Sequence, residues 1–168
     1  MSEPYHLRCW TRFLAPPEEV WQLKNRLENA NRECAPLVRM SGGPQETIDE
    51  LASNQLPYAF EMKLGLLGAL PGPAWPVEIT ALEPGRRYVD RSSNAWFSEW
   101  EHEHLVEPAS DATRYVDAVT FTPRVGPSRL VRRMVLEFFL HRHRQAARWL
   151  PTDRRATAVA VMRAVDLE

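Results

Sequence analysis

One run of eleven residues constrains this chain more than any other: Trp96-Phe97-Ser98-Glu99-Trp100-Glu101-His102-Glu103-His104-Leu105-Val106. Side-chain character alternates there with period two, the signature of a β-strand whose successive side chains point to opposite faces. Glu99, Glu101 and Glu103 share one face; Trp96, Trp100, His102 and His104 share the other. Three carboxylates belong in water, so the aromatic and imidazole face turns inward. Two tryptophans and two histidines in place of a plain Val and Ile core predict an apolar cavity with a few polar anchors.

Other segments extend the pattern. Residues 5–14, 58–66, 75–82, 87–91 and 113–122 read as strands, with turns at 83–85, 92–94 and 107–112. In the last strand Tyr115, Asp117, Val119 and Phe121 share a face. Pro16-Pro17-Glu18-Glu19 opens a helix, since proline is tolerated at the first turn and acids favour the positive end. Val20, Leu23 and Leu27 continue it as one stripe with Trp21 beside them. Ser41-Gly42-Gly43-Pro44 is a break. Residues 45–55 fit either a short helix or an irregular strand. Three glycines and three prolines across 65–76 predict a loop. Pro123, Gly126 and Pro127 end the strands, and Ser128 suits an N-cap. Leu130, Val131, Met134, Val135, Phe138, Phe139 and Arg142 then follow helical spacing to about residue 150, where Pro151 stops the helix. Residues 152–168 read as a short helix or a tail.

A meander of antiparallel strands needs cover on one face, and the helix at 128–150 is the element long enough to give it. The expected architecture is α+β: a curved antiparallel sheet wrapped around a long C-terminal helix, with space between. Nothing divides the chain, so one domain is expected over 1–168, with its core at 5–150 and an extension at 151–168.

Composition narrows the function. The chain has 168 residues and a net charge of −1, so no global field recruits nucleic acid. From Arg124 onward ten arginines face four acids, which a solvated helix face or an anion or partner contact would explain. Cys9 and Cys34 are too few for a disulfide framework and read as free thiols in a reducing compartment. No basic and apolar leader follows Met1, and no apolar run approaches the ~20 residues of a membrane span. A cytoplasmic location is expected; oligomeric state is not fixed by these features.

Several motifs at set spacings carry a resemblance: Tyr88-Val89-Asp90, Trp96-Phe97, Trp100-Glu101-His102-Glu103-His104, Thr113 with Asp117, Thr122-Pro123, and Phe139-Leu140-His141-Arg142-His143. Over about residues 5–150 the chain resembles the START-like superfamily, also called SRPBCC or Bet v 1-like, and within it a bacterial subgroup of small uncharacterised proteins. The resemblance implies a helix-grip fold and a deep, largely apolar pocket for lipids, sterols, polyketides or other aromatics. Some members are cyclases or aromatases. The chain departs from the pattern at Ser93-Asn94-Ala95, where Gly-Pro is common, and at His141-Arg142, where Tyr-Arg is common.

His102 and His104 lie two apart on one strand, and Asp117 on the next strand is placed to reach them. Such a set serves as a self-satisfied buried pair, as a ligand anchor or acid/base group, or as part of a metal site. No HExxH or CxxC supplies further ligands, so no metal and no cofactor are expected. Trp96, Trp100, Tyr115 and Phe121 form an aromatic wall. His141, Arg142 and His143 end the helix and stabilise its dipole, or Arg142 or His141 points into the pocket to bind a polar ligand group; Asp90 reads as a turn cap. The expected ligand-binding set is thus Trp96, Trp100, His102, His104, Tyr115, Asp117, Phe121 and Arg142. The expected function is binding of a hydrophobic or aromatic small molecule. The alternatives are a polyketide cyclase/dehydratase-type enzyme using His102 or His104 with Asp117, and a co-chaperone-like interaction module.

Overall fold

The alternating runs become strands of one sheet. In the computed structural model, which describes residues 3–52, 55–67, 70–152 and 158–163, the chain runs β1 (Tyr5–Phe13), α1 (Pro17–Lys24), α2 (Leu27–Cys34), β2 (Val38–Ser41), α3 (Ile48–Ala52), β3 (Tyr58–Leu66), β4 (Leu70–Glu83), β5 (Arg87–Ser92), β6 (Phe97–Ala109), β7 (Ala112–Pro123), α4 (Ser128–Ala146) and β8 (Ala158–Arg163). The strands form one curled sheet in the order β2-β3-β4-β5-β6-β7-β1-β8, each neighbouring pair antiparallel. α4 crosses its inner face beside β1 and β7 and packs on α2. This is the expected α+β helix-grip arrangement.

The core lies where α4 meets the β7–β1 half of the sheet. Phe13, Tyr115, Phe121 and Phe139 are almost wholly buried. Each such ring contributes roughly 1.5–3 kcal/mol by leaving water. On the outer face of β6, Glu101 and Glu103 pair with Arg91 and Arg87 of β5.

Several expectations need correction, each for a physical reason. Residues 70–76 are strand, not loop: β5 pairs with β4 only from Glu78 onward, so Pro71, Pro73 and Pro76 sit where β4 has a free edge and their missing N–H groups are not needed. A bulge between Phe97 and Glu99 shifts the alternation of β6. Phe97 is therefore the buried residue at the strand's start, while Trp96 precedes the strand and is half-buried against the core. The stripe of Val20, Leu23 and Leu27 spans two helices. Asn25 ends the first, its side chain donating to Asp49 at 2.7 Å and accepting from the Asp49 N–H at 3.1 Å.

Within 45–55, Ile48–Ala52 form the short helix α3, capped reciprocally by Thr47 and Glu50, while 53 and 54 lie outside the described residues. The cap of α4 is Pro127, with no side-chain bond from Ser128, and the helix ends at Ala146. In the expected helix or tail, residues 158–163 instead add a strand to the free edge of β1.

Candidate functional site

The ladder register builds a polar cluster inside the sheet. His102 and His104 project inward from β6 and are each 5% exposed. β5 sets Asp90 opposite His102, and β7 sets Asp117 opposite His104. A carboxylate thus flanks the imidazole pair on either side. Tyr115, two residues before Asp117, shares its face. α4 brings Arg142 and His143, β1 brings Thr11, and α1 and α2 bring Lys24 and Glu33.

The contacts form a connected network. His102 Nε2 lies 3.0 Å from Asp117 Oδ1, and Tyr115 Oη donates to the same oxygen at 2.5 Å. His104 Nδ1 lies 2.8 Å from Tyr115 Oη, and its Nε2 is 3.0 Å from Asp90 Oδ2. His102 Nδ1 is 3.6 Å from that same Asp90 oxygen. His143 Nδ1 meets Thr11 Oγ1 at 2.7 Å, while its Nε2 stands 3.1 Å from Asp117 Oδ2, off the line of a hydrogen bond. Arg142 donates to Glu33 at 3.2 Å and lies 3.9 Å from Asp117. Lys24 donates to Glu33 at 2.6 Å and sits 4.2 Å above the Tyr115 ring. Tyr88 stacks on His104 with centroids 3.9 Å apart.

Burial governs the charges. It pushes the Asp117 carboxyl up, but the Arg142 guanidinium and His102 outweigh it and hold the group well below the usual carboxylate range. Burial lowers His104 to about 3, aided by His102 beside it, so its ring is neutral. His143 is lowered for the same first reason. Burial raises both tyrosine hydroxyls, Tyr88 and Tyr115, well above 10, so they act as donors. Cys9 and Cys34 are free and buried, and burial pushes both thiols to about 12. Every nitrogen of His102 and His104 faces an oxygen of Asp90, Asp117 or Tyr115, at 2.8 to 3.6 Å. Among the described residues, Asp90, His102 and His104 also offer ligand atoms that lie within 4.8 Å of one another.

The other half of the inner face is apolar and less covered. Tyr58, Phe60 and Leu64 of β3 and Met40 of β2 are only partly buried. On α4, Val131 and Phe138 are partly buried, while Leu130 is 54% and Met134 62% exposed. An open cleft of about 730 Å³ is lined by Phe60, Val77, Glu78, Arg91, Glu99 and Trp100 among others, with no residue of α4.

Of the residues expected from sequence, the structure joins His102, His104, Tyr115, Asp117 and Arg142 in one network. Trp100 and Phe121 lie beside it in the buried aromatic cluster, with Trp100 stacked on Phe139 at 6.2 Å. Trp96 stands apart at the start of β6. Asp90 is a strand residue bonded to His104, not a turn cap. His143 turns into the network and His141 donates to the Ala35 carbonyl at 2.8 Å, which replaces a purely dipolar role for this trio. Sequence reasoning did not bring Lys24 or Glu33 to the site, assigned Asp90 to a turn, and left His143 out of the ligand-binding set. One signal was available: Lys24 is one of two lysines among 21 basic residues, and it shares a helix face with Val20.

The curled antiparallel sheet gripped around a C-terminal helix is the START-like, or helix-grip, fold. The chain belongs to the family described as Domain of unknown function (DUF8410), whose model matches residues 11–150. No curated protein matches it by sequence. Protein CV1439 from Chromobacterium violaceum superposes with a TM-score of 0.68 at 13% identity, covering 88% of this chain and 98% of its own. A START superfamily protein from Mycobacterium smegmatis gives 0.61 at 11%, covering 84% and 94%. The Zhui aromatase/cyclase from Streptomyces sp. R1128 gives 0.60 at 12%, covering 84% and 90%. These identities speak for the fold alone. No helix among the described residues is long and apolar enough to cross a membrane.

Proposed function

We propose that this protein binds a hydrophobic or aromatic small molecule between the β2–β4 half of the sheet and the first turns of α4. The observation that carries the reading is the uneven cover of one sheet face. Where α4 meets β1 and β7 the core is closed, whereas Tyr58, Phe60, Leu64, Leu130 and Met134 keep apolar surface toward water. Uncovered apolar area of this kind marks a binding surface, and burying it against a ligand drives affinity. In this reading Trp96 and Trp100 form the wall of the groove. Phe121, Tyr115, His102, His104, Asp117 and Arg142 form its rigid floor. The likeness to a START superfamily protein and an aromatase/cyclase supports it.

Acid/base catalysis by His102 or His104 is less well supported, since a general base needs a free lone pair facing substrate. The ring nitrogens of both face Asp90, Asp117 and Tyr115 inside the network rather than the apolar groove. The exposed Leu130 and Met134 also favour a second reading, a contact surface for a protein partner. Native mass spectrometry of protein purified from its own host, followed by a thermal-shift screen of fatty acids, sterols and aromatic polyketides, separates the two. Expected are a bound apolar mass and stabilisation by one ligand class, weakened about tenfold, or ~1.4 kcal/mol, by Phe60→Gln. A bare mass with no stabilisation assigns the surface to a protein partner.

A further inference from the structure

Hydrogen-bond directions around His102 and His104 leave an electrostatic conflict. Tyr115 has one proton, and it donates that proton to Asp117. Its 2.8 Å contact with His104 is therefore made by a ring N–H, so His104 carries its hydrogen on Nδ1. Asp117 Oδ1 acts as an acceptor, so His102 Nε2 at 3.0 Å is likewise a donor. A neutral imidazole has one N–H. In the neutral form of each ring the remaining nitrogens, His102 Nδ1 and His104 Nε2, carry the lone pairs that a metal ion would take. Both face the same atom, Asp90 Oδ2, at 3.6 and 3.0 Å. Three electron-rich atoms turned toward one another repel unless a positive charge stands among them.

Their spacing suits a metal ion. Bonds of about 2.0–2.2 Å set ligand atoms roughly 3.3–3.6 Å apart in a tetrahedron, and about 2.8–3.1 Å apart in an octahedron. The Asp90 oxygen lies 3.6 and 3.0 Å from the two nitrogens and all three atoms fall within 4.8 Å of one another, so small side-chain adjustments bring them onto one ion. The outer contacts also follow metal-site logic, in which each ligating histidine gives its other N–H to an acceptor that fixes the tautomer. His102 gives its N–H to Asp117, and His104 gives its own to Tyr115, which passes to the same carboxylate. The β5–β6 ladder sets Asp90 opposite His102, and Tyr88 stacks on His104. The Asp90 side chain is 13% exposed, so the site meets water on that side.

We propose that Asp90, His102 and His104 form a binding site for a divalent first-row transition-metal ion, with water completing its shell. Two imidazoles and a carboxylate are borderline donors that suit zinc or ferrous iron, and Co²⁺ is the spectroscopic probe for such a set. Protein treated with a chelator is titrated with Co²⁺, followed by its visible absorption, and Zn²⁺ is then added. Expected are saturation at one equivalent, displacement by Zn²⁺, and at least tenfold weaker Co²⁺ binding in Asp90→Asn. Glu101→Gln, on the outer face of β6, leaves binding unchanged. Circular dichroism checks that Asp90→Asn folds. Should it not, histidine ¹⁵N spectra of the unmodified protein decide: Zn²⁺ must shift His102 Nδ1 and His104 Nε2. No saturable binding, equal binding in Asp90→Asn, or unmoved resonances would assign the gap to a proton shared by Asp90 and His104 and overturn the proposal.

Discussion

Tyr115→Phe removes one hydroxyl from a side chain that is 0% exposed, and it leaves the ring's packing in place. That hydroxyl joins the two halves of the polar cluster, donating to Asp117 and accepting from His104. Losing a hydrogen bond to a charged acceptor costs about 1.5–3 kcal/mol, and a buried donor left without a partner costs about 1–3 kcal/mol. The two losses overlap, because His102 and Arg142 remain near Asp117. A destabilisation of about 3 kcal/mol is therefore expected. For a chain of this length it lowers Tm by roughly 6–12 °C. Urea unfolding followed by tryptophan fluorescence measures it, with Tyr58→Phe on half-buried β3 as a control expected within ~0.5 kcal/mol of the parent. A Tyr115→Phe loss within that same margin would refute the bridge, and the tautomer of His104 would fall with it.

Acid should destabilise the metal-free protein in a defined window. His104 is held at about 3 when folded, against an ordinary value of 6.5. The unfolded chain takes up this proton below pH 6.5 and the folded one does not, so stability is full above pH 6.5 and falls as pH drops toward 3. At pH 5 the loss is about 2 kcal/mol from this residue. Buried His143 acts in the same direction. Asp117, held low when folded, removes stability with the same sign below pH ~3.9. Equal urea midpoints at pH 7.5 and pH 5 would contradict a neutral buried His104. A separate check uses the thiols: with Cys9 and Cys34 raised to about 12, a disulfide reagent at pH 8 should modify neither in native protein and both in urea. Rapid native modification would mean that the region around β1 or α2 opens readily.

The sheet was legible because period-two alternation is a local signal. Tyr5–Phe13, Tyr58–Leu66 and Ala112–Pro123 stand close to where their apolar faces place them. The start of β4 was not legible, because proline reads as a breaker unless the partner strand is known to be missing on that side. Nor was the bulge at Phe97, which depends on the register with β7. For the site, the pairing of His102 with Asp117 follows from adjacent strands and could be anticipated. Asp90 could not be assigned in the same way, since its role requires knowing that β5 lies against β6 with residue 90 opposite 102. Lys24 and Glu33 meet only because two short helices fold back on the sheet, a long-range event that no local pattern encodes.

One concave face thus divides into two chemistries. Near α4 and β7, formal positive charges on Lys24 and Arg142 oppose negative charges on Glu33 and Asp117, and each is buried with a partner. Removing any one leaves an uncompensated buried charge, a loss of roughly 3–5 kcal/mol, so this half is rigid by construction. Among the described residues, the half along β2–β4 shows no such lock. Its aromatic and aliphatic side chains touch the core yet keep surface toward water. A rigid, charge-balanced floor beneath an adaptable apolar groove meets the needs of small-molecule recognition, because the floor spends no affinity on reordering and the groove supplies the area. A metal at Asp90 would lie on the β5 side of that floor, where the network meets water, and would add a cation without disturbing the neutral balance around Asp117.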